Sequence, residues 1–244
     1  QIDLEKLRTW KDNVVGKLTG GLGMLMKQRK VKYAQGVASF SSSNQVIVQL
    51  QEGGEQIIDF DYAIIATGSI PALPPIVEGE SSLVMDSTSA LEIPDVPKNL
   101  LVVGGGYIGL ELGTVYASLG TKVTVVEMTA GLLPGADRDL VDVLKSDLDT
   151  RFDQILLNTR VEKISEKSGK LRVTLSDLEK TNSNMTFDKA LIAVGRRPMS
   201  KNLGLENTNV KTNEQGFVQI DKQCRTSDPN IFAIGDVAGE PMLA

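Results

Sequence analysis

The segment from Leu100 to Glu127, LLVVGGGYIGLELGTVYASLGTKVTVVE, constrains this chain most. It predicts a buried strand, a glycine turn, a helix and a second strand that ends in an acid. Gly104, Gly106 and Gly109 form the pattern G-x-G-x-x-G, in which the glycines turn the chain, admit a pyrophosphate and let the helix pack on its strand. The helix N-terminus then offers N–H groups and a positive dipole end to phosphates. Because all four parts occur together, we predict a dinucleotide site rather than a glycine-rich turn of an unrelated α/β fold.

The acid at Glu127 indicates which dinucleotide would bind. It lies 18 residues beyond Gly109, where a carboxylate can accept hydrogen bonds from an adenosine ribose. A 2′-phosphate would be repelled there, and the next residues, Met128, Thr129 and Ala130, include no cation. The sequence therefore favours NAD over NADP.

Composition excludes several other classes of function. The chain has 244 residues, a net charge of −5, one cysteine and no histidine. The negative charge argues against nucleic acid as a partner, and no apolar run approaches the roughly 20 residues of a membrane helix. Without a second cysteine or a histidine, no intrachain disulfide, His-based zinc site or Ser-His-Asp triad can form, so we predict no metal site. Cys224 is interpreted as a half-buried small side chain rather than a reactive thiol. No signal peptide is recognisable, so a cytoplasmic location is expected.

The residues before the glycine turn predict a helix followed by short strands. Apolar residues recur at helical spacing over residues 2–30, and we expect the glycines of Thr19–Gly23 to break or kink that helix. From residue 31 to 67 the period changes to two, with the pairs Val31/Tyr33 and Val46/Val48. Turns at residues 41–44 and 53–54 then indicate a small antiparallel meander.

A repeated motif suggests two related nucleotide-binding units. FDYAIIATGSIP, from Phe60 to Pro71, and FDKALIAVGRRP, from Phe187 to Pro198, each read as an acid, an apolar strand, a glycine turn and a proline. Near the C-terminus, the strand in NIFAIGDVAG delivers Asp236 to its carboxyl end, where ligands of parallel sheets bind and where an aspartate can accept hydrogen bonds from a polyol.

Taken together these motifs resemble the FAD-dependent pyridine nucleotide–disulfide oxidoreductases. The resemblance covers nearly all 244 residues, and the closest motifs, among them GLELGTVYASLG and FAIGDVAGEPMLA, resemble the flavoprotein of 2-oxoacid dehydrogenase complexes. It implies an α/β, Rossmann-like FAD/NAD(P)-binding fold with parallel sheets and a small antiparallel β-meander. It also implies that the whole protein is a homodimer acting on lipoyl groups, passing electrons through a redox disulfide and FAD to NAD.

The resemblance assigns two sets of cofactor-binding residues and no catalytic residue. Tyr107 departs from the aliphatic residue frequent at its position and resembles the nicotinamide-covering tyrosine of some relatives, and Met199 replaces a common asparagine. Glu111, matched to the flavin–nicotinamide junction, is equally well explained as a first-turn helix acid. The residues matched to NAD are Gly104, Gly105, Gly106, Tyr107, Ile108, Gly109, Leu110, Glu111, Glu127, Val161, Ala193, Gly195 and Arg196. The residues matched to FAD are Gly36, Ala66, Thr67, Gly68, Ser69, Asp236, Met242, Leu243 and Ala244.

The resemblance also implies parts that this sequence lacks. The family's first βαβ unit, which binds the ADP half of FAD, and its redox disulfide should precede Gln1, and the dimerisation domain should follow Ala244. We therefore expect a partial FAD-binding domain at 1–93, an NAD-binding domain at 94–214 and a return segment of the FAD domain at 215–244. The alternatives are a fragment of a soluble transhydrogenase or NADH oxidase, or a non-catalytic NAD-binding module.

Overall fold

The computed structural model describes residues 2–242, and within that range the backbone forms four α-helices and sixteen strands. No helix in this range is long and apolar enough to cross a membrane. The helices are α1 Leu4–Gln28, α2 Ser87–Leu91, α3 Tyr107–Ser118 and α4 Arg138–Arg151. The strands are β1 Gly36–Ser42, β2 Gln45–Leu50, β3 Glu55–Asp59, β4 Ala63–Ile65, β5 Ser69–Pro71, β6 Val77–Glu78, β7 Val84–Met85, β8 Asn99–Val103, β9 Lys122–Val126, β10 Gln154–Leu156, β11 Arg160–Lys167, β12 Lys170–Ser176, β13 Asn182–Phe187, β14 Lys189–Ile192, β15 Arg196–Pro198 and β16 Ile231–Ala233.

The chain forms two compact units whose limits differ from the predicted 94–214. The first unit contains the residues up to Val14 and Pro71–Gly195, and the second contains Val15–Ile70 and the residues from Arg196 onward. The first unit begins earlier because β7 pairs with β14 and β6 pairs with β11. It ends earlier because apolar side chains after Arg196, such as Leu203, pack into the core of the second unit.

A five-stranded parallel sheet, in the order β10-β9-β8-β14-β7, forms the centre of the first unit. The strand Leu100–Val103 is apolar throughout because both faces of this sheet are covered. Leu100 and Val102 pack against α3 and α4, and Leu101 and Val103 pack towards the four-stranded sheet β13-β12-β11-β6. Val103 of β8 lies beside Val126 of β9, so the residues that follow both strands meet at one edge of the sheet.

The second unit combines an antiparallel meander with a parallel strand pair. Strands β1, β2 and β3 form the predicted meander, with Gly53 and Gly54 in a turn at positive φ. Strands β4 and β16 are parallel, and Ile65 pairs with Ala233 at their carboxyl ends. The core of this unit is formed by buried residues of these strands and of the segments around residues 210 to 237. The predicted α/β class, with parallel sheets and a small meander, is thus confirmed.

Two local predictions are wrong. The first is the break expected in α1, which is absent: the helix continues through Thr19–Gly23, because glycine lowers helix stability without excluding helical dihedral angles, and a long helix propagates through such positions. Val31 and Tyr33 precede β1 and are exposed, so they take no part in the meander.

Candidate functional site

The glycine turn between β8 and α3 is shaped by contacts that only glycine permits. Gly104 has a φ of +108°, and a Cβ there would lie 2.3 Å from the carbonyl oxygen of Ala193. At Gly109 a Cβ would lie 2.4 Å from the carbonyl oxygen of Gly104, so this glycine lets α3 approach its strand. Both residues therefore have structural reasons to be glycine, as the motif predicts.

Gly106 differs, because the protein itself does not require a glycine there. Its φ of −80° is accessible to any residue, and a Cβ would find no atom within 4 Å apart from its own chain neighbours. It is the N-cap of α3, without a side chain to accept from the first helical N–H groups. The motif predicts the pyrophosphate in front of these donors, with a glycine at this position so that the backbone can approach it.

Glu127 follows β9 and faces the glycine turn. Its side chain is 7% exposed, and its Oε2 accepts a hydrogen bond from the Gly105 N–H at 2.7 Å. Its Oε1 accepts from the Thr129 N–H at 2.7 Å and lies 2.7 Å from the Thr129 hydroxyl oxygen. A carboxylate oxygen has two acceptor sites, so Oε2 keeps one for a ribose hydroxyl.

Two residues of this site were missed from the sequence. Thr129 supports the carboxylate of Glu127, and a threonine two residues after an acid is a recognisable signal for such a local hydrogen bond. Arg138, the first residue of α4, donates to the carbonyl oxygens of Leu132, Leu133 and Ala136. A cation at a helix N-terminus opposes the helix dipole, and this is the signal that could have drawn attention to it.

The other residues matched to NAD lie around the same edge of the sheet or in its core. Ala193 follows β14 and contacts Gly104, and Gly195 follows at positive φ. Val161 and Leu110 are buried in the two cores of the unit, so packing already accounts for them. Tyr107 is 40% exposed at the start of α3, and Ile108 packs against the core. Glu111 is exposed and, since α3 begins at Tyr107, lies beyond the first turn in which it was expected.

Arg196 was matched to the NAD set but lies in the second unit, beside residues matched to FAD. Its Nε donates to the Ser69 hydroxyl at 2.6 Å and its Nη2 donates to the Ser69 carbonyl oxygen at 2.7 Å. The Ser69 hydroxyl donates in turn to Oδ2 of Asp236 at 2.5 Å, and Arg196 Nε lies 3.9 Å from that oxygen. A carboxylate, a hydroxyl and a guanidinium thus meet beyond the carboxyl ends of β4 and β16, a donor and acceptor set that suits a polyol chain.

The remaining residues matched to FAD are less closely grouped. Ala66 and Thr67 are exposed after β4, and the backbone of Met199 accepts from the Thr67 hydroxyl and donates to Gly68. These contacts therefore do not depend on the side chain of Met199, the residue that replaces a common asparagine. Gly36 has a local reason to be glycine, since a Cβ would lie 2.1 Å from the Gln49 carbonyl oxygen. Met242 is half-buried, and the expectations for Leu243 and Ala244 fall outside the described residues.

Known proteins are similar to this chain in sequence and in fold. The family described as pyridine nucleotide-disulphide oxidoreductase matches residues 2–244. The dihydrolipoyl dehydrogenase of Vibrio parahaemolyticus is 42% identical over 244 residues, which are 100% of this chain and 51% of that protein. The dihydrolipoyl dehydrogenase of Geobacillus stearothermophilus is also 42% identical and is 51% covered. The chain therefore spans about half the length of the curated relatives it matches.

Solved structures are also similar to this chain. The HOCl-induced flavoprotein disulfide reductase RclA from Escherichia coli superposes with a TM-score of 0.86 at 32% identity, over 97% of this chain and 53% of that one. The family uses FAD and a pyridine nucleotide as cofactors. With a family match over residues 2–244, a shared fold and a glycine turn built as the motif requires, this chain belongs to the pyridine nucleotide-disulphide oxidoreductase family.

Proposed function

We propose that the chain is the central portion of a dihydrolipoyl dehydrogenase, a flavoprotein that oxidises dihydrolipoamide with NAD. The proposal is supported by the 42% identity to enzymes of that name and by the arrangement of Gly105, Gly106 and Glu127. That arrangement is the observation that carries it, because it combines a phosphate-binding helix end with an acceptor for a ribose hydroxyl. The part of the enzyme present here would bind the pyridine nucleotide.

In this proposal the N-terminus of α3 holds the pyrophosphate of NAD. The first N–H groups of an α-helix have no partner within the helix, and Gly106 keeps the approach to them open. The adenosine ribose would donate to Oε2 of Glu127, and Ala193 and Gly195 would flank the other half of the dinucleotide. The reactive chemistry would be supplied by the cofactors, and these residues would bind and orient the nucleotide.

NAD rather than NADP is the proposed nucleotide. Glu127 brings a negative charge to the place where NADP carries its 2′-phosphate. The nearest arginine along the chain, Arg138, already donates to three carbonyl oxygens and is therefore engaged elsewhere. The carboxylate of Glu127 would therefore repel a 2′-phosphate, and Arg138 would not offset that repulsion.

The residues of the second unit are proposed to contact FAD. Asp236 and Arg196 would bind the ribityl chain of the flavin, with Gly68 and Ser69 alongside. The one G-x-G-x-x-G turn of the sequence is assigned to NAD, so the ADP half of FAD would have no equivalent anchor in these 244 residues. A loss of about 4 kcal/mol of binding free energy would weaken FAD binding about a thousandfold.

Partners and location are also proposals. The family resemblance implies a homodimer that acts on lipoyl groups within a 2-oxoacid dehydrogenase complex, in the cytoplasm, and the relatives' name, dihydrolipoyl dehydrogenase, supports the lipoyl substrate. A soluble transhydrogenase or NADH oxidase is the alternative within the family, and Glu127 disfavours those enzymes that prefer NADPH.

The nucleotide proposal is tested by titration calorimetry of the 244-residue chain with NAD, NADH, NADP and NADPH. NAD and NADH should bind more tightly than their phosphorylated counterparts, and Glu127→Arg should shift the preference towards NADP. Equal or stronger binding of NADPH by the unmodified chain would contradict the proposal.

The thiol chemistry is tested by an assay of lipoamide-dependent NADH turnover. A dithiol–disulfide relay needs two cysteines, and this sequence has Cys224 alone, so no turnover is expected even with added FAD. Turnover that Cys224→Ser abolishes would make Cys224 a catalytic thiol. A purified chain carrying stoichiometric FAD would show that the ADP anchor is not required.

A further inference from the structure

Arg138 occupies a position that its own helix disfavours. It is the first residue of α4, where the positive end of the helix dipole repels a cation. The preceding N-cap, Asp137, makes no side-chain capping bond. The reason for an arginine here must therefore lie outside the helix.

The guanidinium of Arg138 holds the loop that connects β9 to α4. Its Nη1 donates to the Leu132 carbonyl oxygen at 2.9 Å, and its Nη2 donates to Leu133 at 2.6 Å and to Ala136 at 2.7 Å. Leu133 has a φ of +49°, in the left-handed region that costs energy for any residue with a side chain. The guanidinium of an arginine presents five N–H donors in a fixed planar fork, whereas a lysine offers three donors on one flexible nitrogen.

The loop held by Arg138 is bonded to the glycine turn. The Leu133 N–H donates to the carbonyl oxygen of Gly105 at 2.9 Å. The Leu132 side chain is 1% exposed, and its Cδ2 lies 2.7 Å from the point that a Cβ of Gly105 would occupy. The Gly105 N–H is fixed on its other side by Glu127.

The geometry of the peptide bond carries this restraint to Gly106. The Gly105 carbonyl group and the Gly106 N–H belong to one planar trans peptide and point in opposite directions. A hydrogen bond that fixes the carbonyl group therefore fixes the direction of the N–H, the first donor at the N-terminal end of α3. A donor that is aimed before the ligand arrives loses less freedom on binding.

We propose that Arg138 is a positioning residue for the pyrophosphate of the nucleotide. It acts through two successive hydrogen bonds, from Arg138 to Leu133 and from Leu133 to Gly105, and it does not itself contact the ligand. The inference rests on the proposed NAD function and adds a residue that controls the shape of that site.

The test uses the full 244-residue chain with NAD and ADP-ribose as probes in titration calorimetry. Arg138→Met removes the hydrogen bonds and keeps much of the length of the side chain, and Arg138→Lys keeps the charge but not the fork. Arg151→Met is the matched control, because Arg151 lies on the same helix and pairs with Asp147 at 2.7 Å instead. Amide NMR spectra of the ligand-free proteins report on Leu133 and Gly106 directly.

Arg138→Met is expected to weaken the binding of both probes about tenfold, because a displaced Gly106 N–H loses most of its interaction with the pyrophosphate. Arg138→Lys should give a smaller loss, and Arg151→Met should bind like the unmodified chain. The Gly106 amide resonance should shift in the Arg138 variants alone, an effect that a merely stabilising residue would not produce. If Arg138→Met does not fold, Arg138→Lys decides.

Binding of both probes within twofold of the unmodified chain, by the folded Arg138 variants, would overturn the inference. An unmodified chain that fails to bind NAD would instead overturn the proposed function, and this inference with it. The two failures are thus distinguishable.

Discussion

The Oε2 oxygen of Glu127 lies 2.7 Å from the backbone nitrogen of Gly105, from which it accepts a hydrogen bond. The acid thus has two tasks, because the carboxylate that would select the ribose also holds the glycine turn. Thr129 donates to the other oxygen, so the side chain is fixed before any ligand arrives. Preorganisation of this kind favours tight and selective binding.

Replacement of Glu127 by glutamine separates charge from shape. The amide oxygen can face Thr129, but the amide nitrogen would then oppose the Gly105 N–H, at a cost of about 1–3 kcal/mol in the free energy of unfolding. Loss of the negative charge should also reduce the preference for NAD over NADP by roughly tenfold or more. Calorimetric titration of both nucleotides, with denaturation by urea, measures the two effects.

Asp142→Asn is the control for Glu127→Gln, because it removes one exposed charge from the same unit. It should leave the ratio of NAD to NADP affinity unchanged. A ratio that moves equally in both variants would mean that the net charge of the unit, and not Glu127, selects the nucleotide.

Gly106→Ala should block the nucleotide with only a small loss of stability. The backbone at Gly106 suits alanine, and a Cβ meets no atom within 4 Å beyond its own chain neighbours. The methyl group would instead stand where the pyrophosphate is proposed to bind, so NAD affinity should fall at least tenfold, while the melting temperature should fall by only about 2–4 °C because alanine is a weaker N-cap than glycine.

Gly109→Ala should behave in the opposite way. Its Cβ would lie 2.4 Å from the Gly104 carbonyl oxygen, so the helix must shift, at a cost of about 1–3 kcal/mol. Thermal denaturation of the two variants, each followed by NAD titration where folded, compares them. A Gly106→Ala protein that binds NAD normally would remove the main support for the proposed site.

The parallel sheet and the glycine turn were predictable because their signals are local. An apolar strand such as Leu100–Val103, covered on both faces, followed by G-x-G-x-x-G, leaves few alternatives to a βαβ unit. The limits of the units were less accessible, since they depend on where β6 and β7 pair, far from their position in the sequence. The continuous helix α1 shows that the low helix propensity of several glycines does not by itself decide whether a long helix is interrupted.

The grouping of site residues was only partly predictable. Gly105 and Glu127 meet because β8 and β9 are parallel neighbours, as the motif implies. Arg196 directly follows the Ala193–Gly195 loop, but its side chain donates a hydrogen bond to Ser69 in the second unit. That partner is determined by the tertiary structure and not by the local sequence. Arg138, eleven residues after Glu127, donates to three carbonyl groups of the loop that precedes it, and no short motif encodes those contacts.

Ser69→Ala should reveal how Arg196 and Asp236 depend on the hydroxyl between them. Loss of that group removes a donor to Asp236 and an acceptor for Arg196, and should lower the free energy of unfolding by about 1–2 kcal/mol. A double-mutant cycle with Asp236→Asn measures the coupling by urea denaturation. Ser146→Ala, an exposed serine on α4, serves as the control. Additive effects would show that the Ser69 hydroxyl is not coupled to Asp236.

Tyr116→Phe should change the response of the first unit to alkaline pH. Burial raises the pKa of Tyr116 from 10.0 to about 12, with a further contribution from Asp95, and the hydroxyl donates to the Ala90 carbonyl oxygen at 3.0 Å. Between pH 10.0 and about 12, Tyr116 keeps its proton in the folded state but loses it in the unfolded state. Its contribution to the free energy of unfolding is therefore complete below pH 10.0 and is lost as the pH rises towards 12.

At neutral pH the phenylalanine variant should lose about 1 kcal/mol of unfolding free energy with the hydrogen bond. The difference from the unmodified chain should then shrink above pH 10 and change sign before pH 12, because ionisation of the unfolded tyrosine costs the unmodified chain about 1.4 kcal/mol per pH unit. Urea denaturation at several pH values, followed by circular dichroism, measures both. Tyr33→Phe is the matched control, because Tyr33 is 72% exposed, and it should leave the pH profile unchanged. A difference that stays constant to pH 12 would mean that Tyr116 does not ionise with unfolding in this range.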